Sequence, residues 1–308
     1  MLRRLAPLLS LFLLAALLAW LSPYFFTLEN LLAIGLQMSV VAIMALGQVP
    51  IIIAGGIDLS AGSVLGLSGV VACMLLHNGQ PFGLALLAAL LTGIACGALN
   101  GFFITRGKLP PFIATLGMMG IARGLALIIT GGVPIFGLPE SFATLGGGRF
   151  LQVLPLPVMI TLVVGGLTHF ALEHTRLGRH TFAIGGNAEA ARLAGVAVNR
   201  SKQILYVFCG ALSGLAGLIL ASRLNSGQPT AGTGYELDVI AACVIGGASL
   251  SGGTGTVGGA LIGALIMGVL RNGCNLLDIS AFWQQVAIGA IIIVAVFIDQ
   301  TRRARESG

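Results

Sequence analysis

The sequence is short of charge. Asp, Glu, Lys and Arg make up 8% of its 308 residues, and only ten residues are acidic. A soluble domain carries roughly 25% charged residues, so this chain lacks the groups that would coat a globule of its size in water. It also lacks the common chemical motifs. The five cysteines, Cys73, Cys96, Cys209, Cys243 and Cys274, form no CxxC pair. Four lie inside apolar runs and read as small hydrophobes, so no metal site and no disulfide framework is expected. The four histidines make no HExxH, and no GxxxxGK[ST] is present, so the chain has no P-loop for ATP. No nucleophile–base pattern and no His/Asp/Glu cluster with ligand spacing stands out, which argues against a membrane enzyme. No cofactor is expected.

What the chain has instead is apolar length. Hydrophobic residues make up 56% of it. The runs Leu5–Leu21, Leu31–Ala54, Phe82–Thr105, Leu151–Leu172 and Phe282–Ile298 each approach the roughly 20 residues that cross a bilayer as a helix. A barrel would show alternating strands of about 10 residues instead. Forty-six glycines do not argue against helices here. Backbone groups in lipid have no water to bond, so the helix is forced, and glycine then serves close helix packing. The fold expected is an all-α, polytopic helical membrane bundle, one domain over residues 1–308.

About ten spans are expected, near 5–22, 31–54, 60–77, 82–105, 112–131, 151–172, 203–222, 237–250, 256–272 and 281–299. Arg3 and Arg4 ahead of an apolar run resemble a signal peptide. The run exits through Trp20-Leu21-Ser22-Pro23 without a small-x-small site, so an uncleaved first helix is expected. With the N-terminus inside, the cytoplasmic segments hold Arg3, Arg4, Arg106, Lys108, Arg176, Arg179, Arg192, Arg200, Lys202, Arg302, Arg303 and Arg305. The external ones hold Arg149, Arg223 and Arg271. That bias places both termini in the cytoplasm. The net charge of +6 needs no nucleic-acid partner, because the basic residues face anionic membrane lipid. The longest cytoplasmic stretch is then about 173–202, and 223–238 forms an external loop.

A short echo runs through the chain. Gly55-Gly56-Ile57-Asp58-Leu59-Ser60-Ala61-Gly62 is matched by Gly246-Gly247-Ala248-Ser249-Leu250-Ser251-Gly252-Gly253. Paired, glycine-interrupted segments in two halves of a transporter point to its pathway.

Three places carry candidate functional residues. In the cytoplasmic stretch, Asn187 suits an N-cap, Glu189 the first turn and Gly195 the left-handed position past the end. Residues Asn187, Glu189, Ala190, Ala191, Arg192, Leu193, Ala194 and Gly195 therefore read as a helix of about two turns outside the bilayer. Ala190, Leu193 and Ala194 share one face. A helix that short needs something to pack on, either its own bundle or a cytoplasmic partner. In the external stretch, Gln228, Thr230, Thr233, Tyr235, Glu236 and Asp238 form either an ordinary solvated loop or a polar lining suited to a hydroxylated solute. Arg123 lies mid-span, where an unpaired charge costs several kcal/mol. It serves as a structural ion pair or touches solute, with Asp58, Glu236 and Asp238 as candidate partners. Gln37, Gln48, Asn100, Gln284 and Gln285 are further buried polar candidates.

Several of these segments together resemble the ribose-type permeases of bacterial ABC sugar importers. They are Ile57-Asp58-Leu59-Ser60 with its flanking glycines, Gly107-Lys108-Leu109-Pro110-Pro111-Phe112-Ile113-Ala114-Thr115-Leu116-Gly117, the Gly186-Asn187 helix, and Gln228 through Asp238. The likeness runs from about residue 25 to the last span. It implies a membrane permease without its own ATPase site, working in the bacterial inner membrane. It implies a second permease copy or paralogue, a separate cytoplasmic ABC ATPase, and a periplasmic sugar-binding protein. It also implies that Asn187 through Gly195 is the helix that couples to the ATPase, and that Gln228–Asp238 serves as a gate or contacts the sugar-binding protein; Asp58 and Arg123 stand beside it as candidates for the path or its gate. The alternative class is an ion-coupled secondary transporter of a small polar solute. It would be expected to show an intramembrane relay of Asp, Glu or His, and the only candidates, Asp58 and His169, both fall near span ends.

Overall fold

The computed structural model describes residues 2–151 and 153–306. The side chains of Arg3, Arg4, Arg302, Arg303 and Arg305, which carry part of the positive-inside pattern, lie outside the described residues. The described chain forms thirteen helices and one small hairpin. They are α1 (Leu2–Leu21), α2 (Leu28–Ile53), α3 (Ala61–His77), α4 (Phe82–Thr105), α5 (Pro111–Thr130), α6 (Glu140–Gly147), β1 (Arg149–Phe150), β2 (Leu154–Pro155), α7 (Leu156–His174), α8 (Arg176–Gly186), α9 (Ala188–Leu193), α10 (Val198–Leu224), α11 (Tyr235–Ile245), α12 (Val257–Leu276) and α13 (Ala281–Glu306).

Each of the ten apolar segments falls on one helix, with α6, α8 and α9 lying outside them. Six helices, α2, α4, α5, α7, α10 and α12, are long and apolar enough to cross a membrane. The chain is therefore all-α and polytopic. Two boundaries move for clear reasons. The segment expected from 151 starts at Leu156, because antiparallel pairing of Arg149 with Pro155 and Phe150 with Leu154 holds the chain before it. The segment expected over 237–250 is helical only to Ile245, where Gly246 and Gly247 interrupt it. Elsewhere local chemistry sets the ends. Thr27 Oγ1 accepts from the Asn30 amide at the start of α2, and Thr256 Oγ1 accepts from the Gly259 amide at the start of α12.

Helix α2 is the axis of the bundle. From Ser39 to Ile53 its side chains are buried all round, against α7, α10, α11 and α12. The tightest packing lies between α4 and α10. A Cβ on Gly93 would fall on the Gly210 carbonyl, and one on Gly210 on the Gly93 carbonyl. One turn along, Gly97 sits against the Tyr206 backbone, and Gly101 against the Gln203 side chain. Glycine at these sites lets the two backbones touch, which compensates for the missing hydrophobic drive between helices in lipid. The outer surface is inverted relative to a soluble protein. Leu87, Leu91 and Phe102 of α4, Ile121 and Ile128 of α5, and Leu167 and Phe170 of α7 are all exposed.

Candidate functional site

The chain breaks its helices at depth. Asn100 lies five residues before the end of α4, about 7 Å along the axis, and its Nδ2 donates to Ser60 Oγ at 2.9 Å. The link between α2 and α3 is thus drawn inside the bundle. Asp58, 3% exposed, is the hub of that link. Its Oδ1 accepts from the Ser60 amide at 2.8 Å and from Ser60 Oγ at 2.6 Å. The Ile57 carbonyl accepts from Thr115 Oγ1 of α5 at 3.4 Å and from Tyr206 Oη of α10 at 3.5 Å. Three helices therefore hold one non-helical link.

The stretch expected as an external loop does the same from the other end. Gly227 pairs with Ile135 and packs on Cys73 of α3. Gly232 packs on Gly62 and Leu65 of the same helix. Cys73 and Gly62 are eleven residues apart, so the chain from 227 to 232 descends about 16 Å alongside α3. Gly62 and Gly66 make room for it, since a Cβ on Gly66 would crowd the Ala231 carbonyl and the Arg123 guanidinium. The left-handed Gly232 and Gly234 then turn the chain into α11, which begins inside the bundle. Irregular backbone at this depth is tolerated where protein or a watery cavity satisfies it.

Arg123 provides that satisfaction. Its Nη1 donates to the carbonyls of Pro229 at 2.6 Å and Ala231 at 2.8 Å. None of the expected carboxylates is bonded to Arg123 among the described residues, although Glu236 lies close enough for its charge to act on the guanidinium. Asp238 Oδ2 accepts from Arg271 Nη2 of α12 at 2.6 Å, Asp58 accepts from Ser60, and Glu236 Oε1 accepts from the Gly234 amide at 3.2 Å. A charge mid-span thus fixes two carbonyls that no helix can serve. Among the other residues of this stretch, Gln228 and Tyr235 are half-buried, and Thr230 and Thr233 are exposed. Gln228 Nε2 donates to Ser226 Oγ, and Thr233 Oγ1 to the Thr230 carbonyl at 2.7 Å. His169 is exposed and lies against His174, away from the bundle interior.

The short helix forms as α9. Asn187 Oδ1 accepts from the Ala190 amide at 2.9 Å, Glu189 pairs with Arg192, and Gly195 is left-handed with φ +84°. Glu189 is exposed, and the Arg192 guanidinium holds its carboxyl below the ordinary range. Of the two ways left open for the face of Ala190, Leu193 and Ala194, packing on its own bundle is not the one seen. Ala191 alone is buried, whereas Ala190, Ala194 and Leu193, the last 78% exposed, face outward. The bundle leaves this apolar face uncovered. The stretch 173–202, expected in the cytoplasm, was expected to hold one short helix, and α8 precedes α9 there, joined to it by Asn187 alone in an extended conformation.

Helix α8 ends in a knot with both echoed segments. The Gly253 amide donates to the Ile53 carbonyl at 2.9 Å. A Cβ on Gly185 would fall on that same carbonyl and on the Gly253 amide, and one on Gly252 would crowd Gly55 and Gly185. The two glycine-rich breaks therefore meet, and α8 lies wedged against the junction two residues from α9. The echo in the sequence signalled both breaks but not their contact. Arg271, Thr115 and Tyr206 carried no sequence signal of their own.

The chain is similar in sequence to known transport permeases. Residues 30–296 match a family described as branched-chain amino acid transport system / permease component. The chain is 47% identical over 300 residues to the ribose import permease protein RbsC of Escherichia coli K12, covering 96% of this chain and 93% of that protein. It is 45% identical over 305 residues to RbsC of Bacillus subtilis 168, covering 98% of this chain and 94% of that one. It is 42% identical over 281 residues to the L-arabinose transport system permease protein AraH of Escherichia coli K12, covering 91% of this chain and 85% of that protein. No solved structure matches. The chain belongs to the transport-system permease family whose model it matches over residues 30–296.

Proposed function

We propose that the chain is the membrane-spanning subunit of an ATP-driven monosaccharide importer of the bacterial inner membrane, with a ribose-like sugar as solute. The near-full-length likeness to ribose and L-arabinose permeases carries this reading. The family description names amino acids, but these sugar permeases match across nearly the whole chain. The ten apolar helices α1–α5, α7 and α10–α13 cross the bilayer, with both termini cytoplasmic. The chain holds no ATPase site of its own. A cytoplasmic ABC ATPase supplies the energy, a periplasmic binding protein delivers the sugar, and a second permease copy or paralogue completes the path.

Helix α9 is the coupling element. Its uncovered Ala190, Leu193 and Ala194 face docks on the ATPase. When ATP closes the cassettes, α9 moves, and α8 carries that movement to the Gly185 junction. Asp58 and Arg123 then hold the two broken segments through the switch, while Gln228, Thr230, Thr233, Tyr235, Glu236 and Asp238 line or gate the path. A change of state needs contacts that differ between the two states, and a rigid docked helix supplies them. An ion-coupled carrier finds no support in the exposed position of His169.

The test is Leu193→Asp. Leu193 is 78% exposed, so the change leaves the bundle intact. Loss of ATPase co-purification and of uptake is expected. A variant that keeps both overturns the assignment of α9.

A further inference from the structure

At the end of the bundle beside α9, a cleft of about 780 Å³ opens between the last turn of α4 and the first turn of α10. Arg106, Arg192 and Arg200 line it, together with Gln203, Phe102 and Ile204. Arg192 is matched by Glu189. Among the described residues the other ion pair is Arg271 with Asp238, so Arg106, just past α4, and Arg200, on α10, bring uncompensated positive charge to the mouth of the cleft. Phe102 and Ile204 lie one turn deeper on the same two helices, and they are 51% and 41% exposed. The cleft is thus cationic where α4 and α10 leave the bundle and apolar where they enter it.

We propose that this cleft binds an anionic phospholipid, its phosphate between Arg106 and Arg200 and an acyl chain against Phe102 and Ile204. Guanidinium groups match phosphate oxygens two at a time. Basic pockets between membrane helices at this level select anionic headgroups. An acidic protein segment would satisfy the arginines but leave the deeper wall, which faces hydrocarbon, without a partner. The proposal rests on α4 and α10 spanning the membrane, and not on the identity of the solute.

Native mass spectrometry of the full chain, loaded with phosphatidylglycerol or phosphatidylethanolamine, tests it. The wild-type chain should retain phosphatidylglycerol preferentially. Arg106→Gln and Arg200→Gln should each lower retention about fivefold, and together about 30-fold. Arg149→Gln, at the β1–β2 hairpin, should leave it unchanged. Should the double variant fail to fold, the single variants carry the test. Equal retention of the two lipids, or glutamine variants that hold phosphatidylglycerol as the wild type does, would overturn the proposal. So would displacement of the lipid by inorganic phosphate at equal concentration, which assigns the cleft to a free anion. Loss of ATPase co-purification with unchanged lipid retention would assign it to an acidic protein segment instead.

Discussion

The Gly253 amide donates to the Ile53 carbonyl across 2.9 Å, tying the break after α2 to the break before α12. Gly185 of α8 is pressed against that bond, and a Cβ there would land on both of its ends. A small displacement of α8 therefore acts on two chain breaks at once. Packed interfaces transmit strain rather than absorb it.

Gly185→Ala should disturb this junction without touching α9. Inserting a carbon against backbone, which cannot move aside as a side chain would, costs about 1–3 kcal/mol. Uptake should fall at least tenfold, while the ATPase still co-purifies. Gly186→Ala should behave as wild type, because a Cβ there meets open space. Uptake assays and pull-downs on the pair check both halves. Equal uptake by the two variants would remove the junction from the coupling path.

The Asp238–Arg271 pair should hold α11 to α12 at the edge of the path. Asp238 is 1% exposed and Arg271 33%. Removing only the cation strands a buried carboxylate, at a cost of roughly 3 kcal/mol for a pair of this kind. Arg271→Gln should lower the melting temperature in detergent markedly, and adding Asp238→Asn should recover more than half of the loss. A double variant no more stable than the single one would contradict this.

Much of the fold was readable in the sequence because lipid leaves the backbone few choices. Apolar runs such as Leu31–Ala54 and Phe82–Thr105 became α2 and α4 almost residue for residue. Asn187, Glu189 and Gly195 announced α9 because capping is local chemistry. What spacing left open was tertiary. The polarity of Gln228–Asp238 fitted a solvated loop or a polar lining equally, and only the packing shows that Gly62 and Gly66 open a groove in α3 that admits this stretch among the helices. Arg123 was left between an ion pair and contact with solute, and its two carbonyl acceptors are brought to it only once the loop has descended. Likewise Ala190, Leu193 and Ala194 share a face by spacing, but spacing cannot say whether the bundle covers it.

Arg123→Gln should loosen the descended segment. The guanidinium makes two charge-assisted bonds to Pro229 and Ala231, together worth about 2 kcal/mol against local opening. Amide exchange over 227–234 should rise about 30-fold, by the tenfold-per-1.4 kcal/mol relation, and uptake should fall while α9 still recruits the ATPase. Arg123→Lys should lie between. Unchanged exchange in the glutamine variant would show that the loop holds itself.

The α4–α10 seam should tolerate no side chain. Gly97→Ala places a Cβ on the Tyr206 backbone, whereas Gly117→Ala on α5 meets open space. The first should lower thermal stability by about 1–3 kcal/mol and the second should leave it unchanged, as read by melting in detergent. Equal melting of the two variants would mean that the helices do not touch.

The energy source of transport bears most directly on the whole account. The chain would be reconstituted in liposomes with its ATPase and sugar-binding protein, and labelled ribose uptake followed with ATP on the α9 side and a protonophore present. Uptake that requires ATP and the binding protein, and ignores the protonophore, is the expected result. Uptake that proceeds without ATP and collapses with the ion gradient would contradict it.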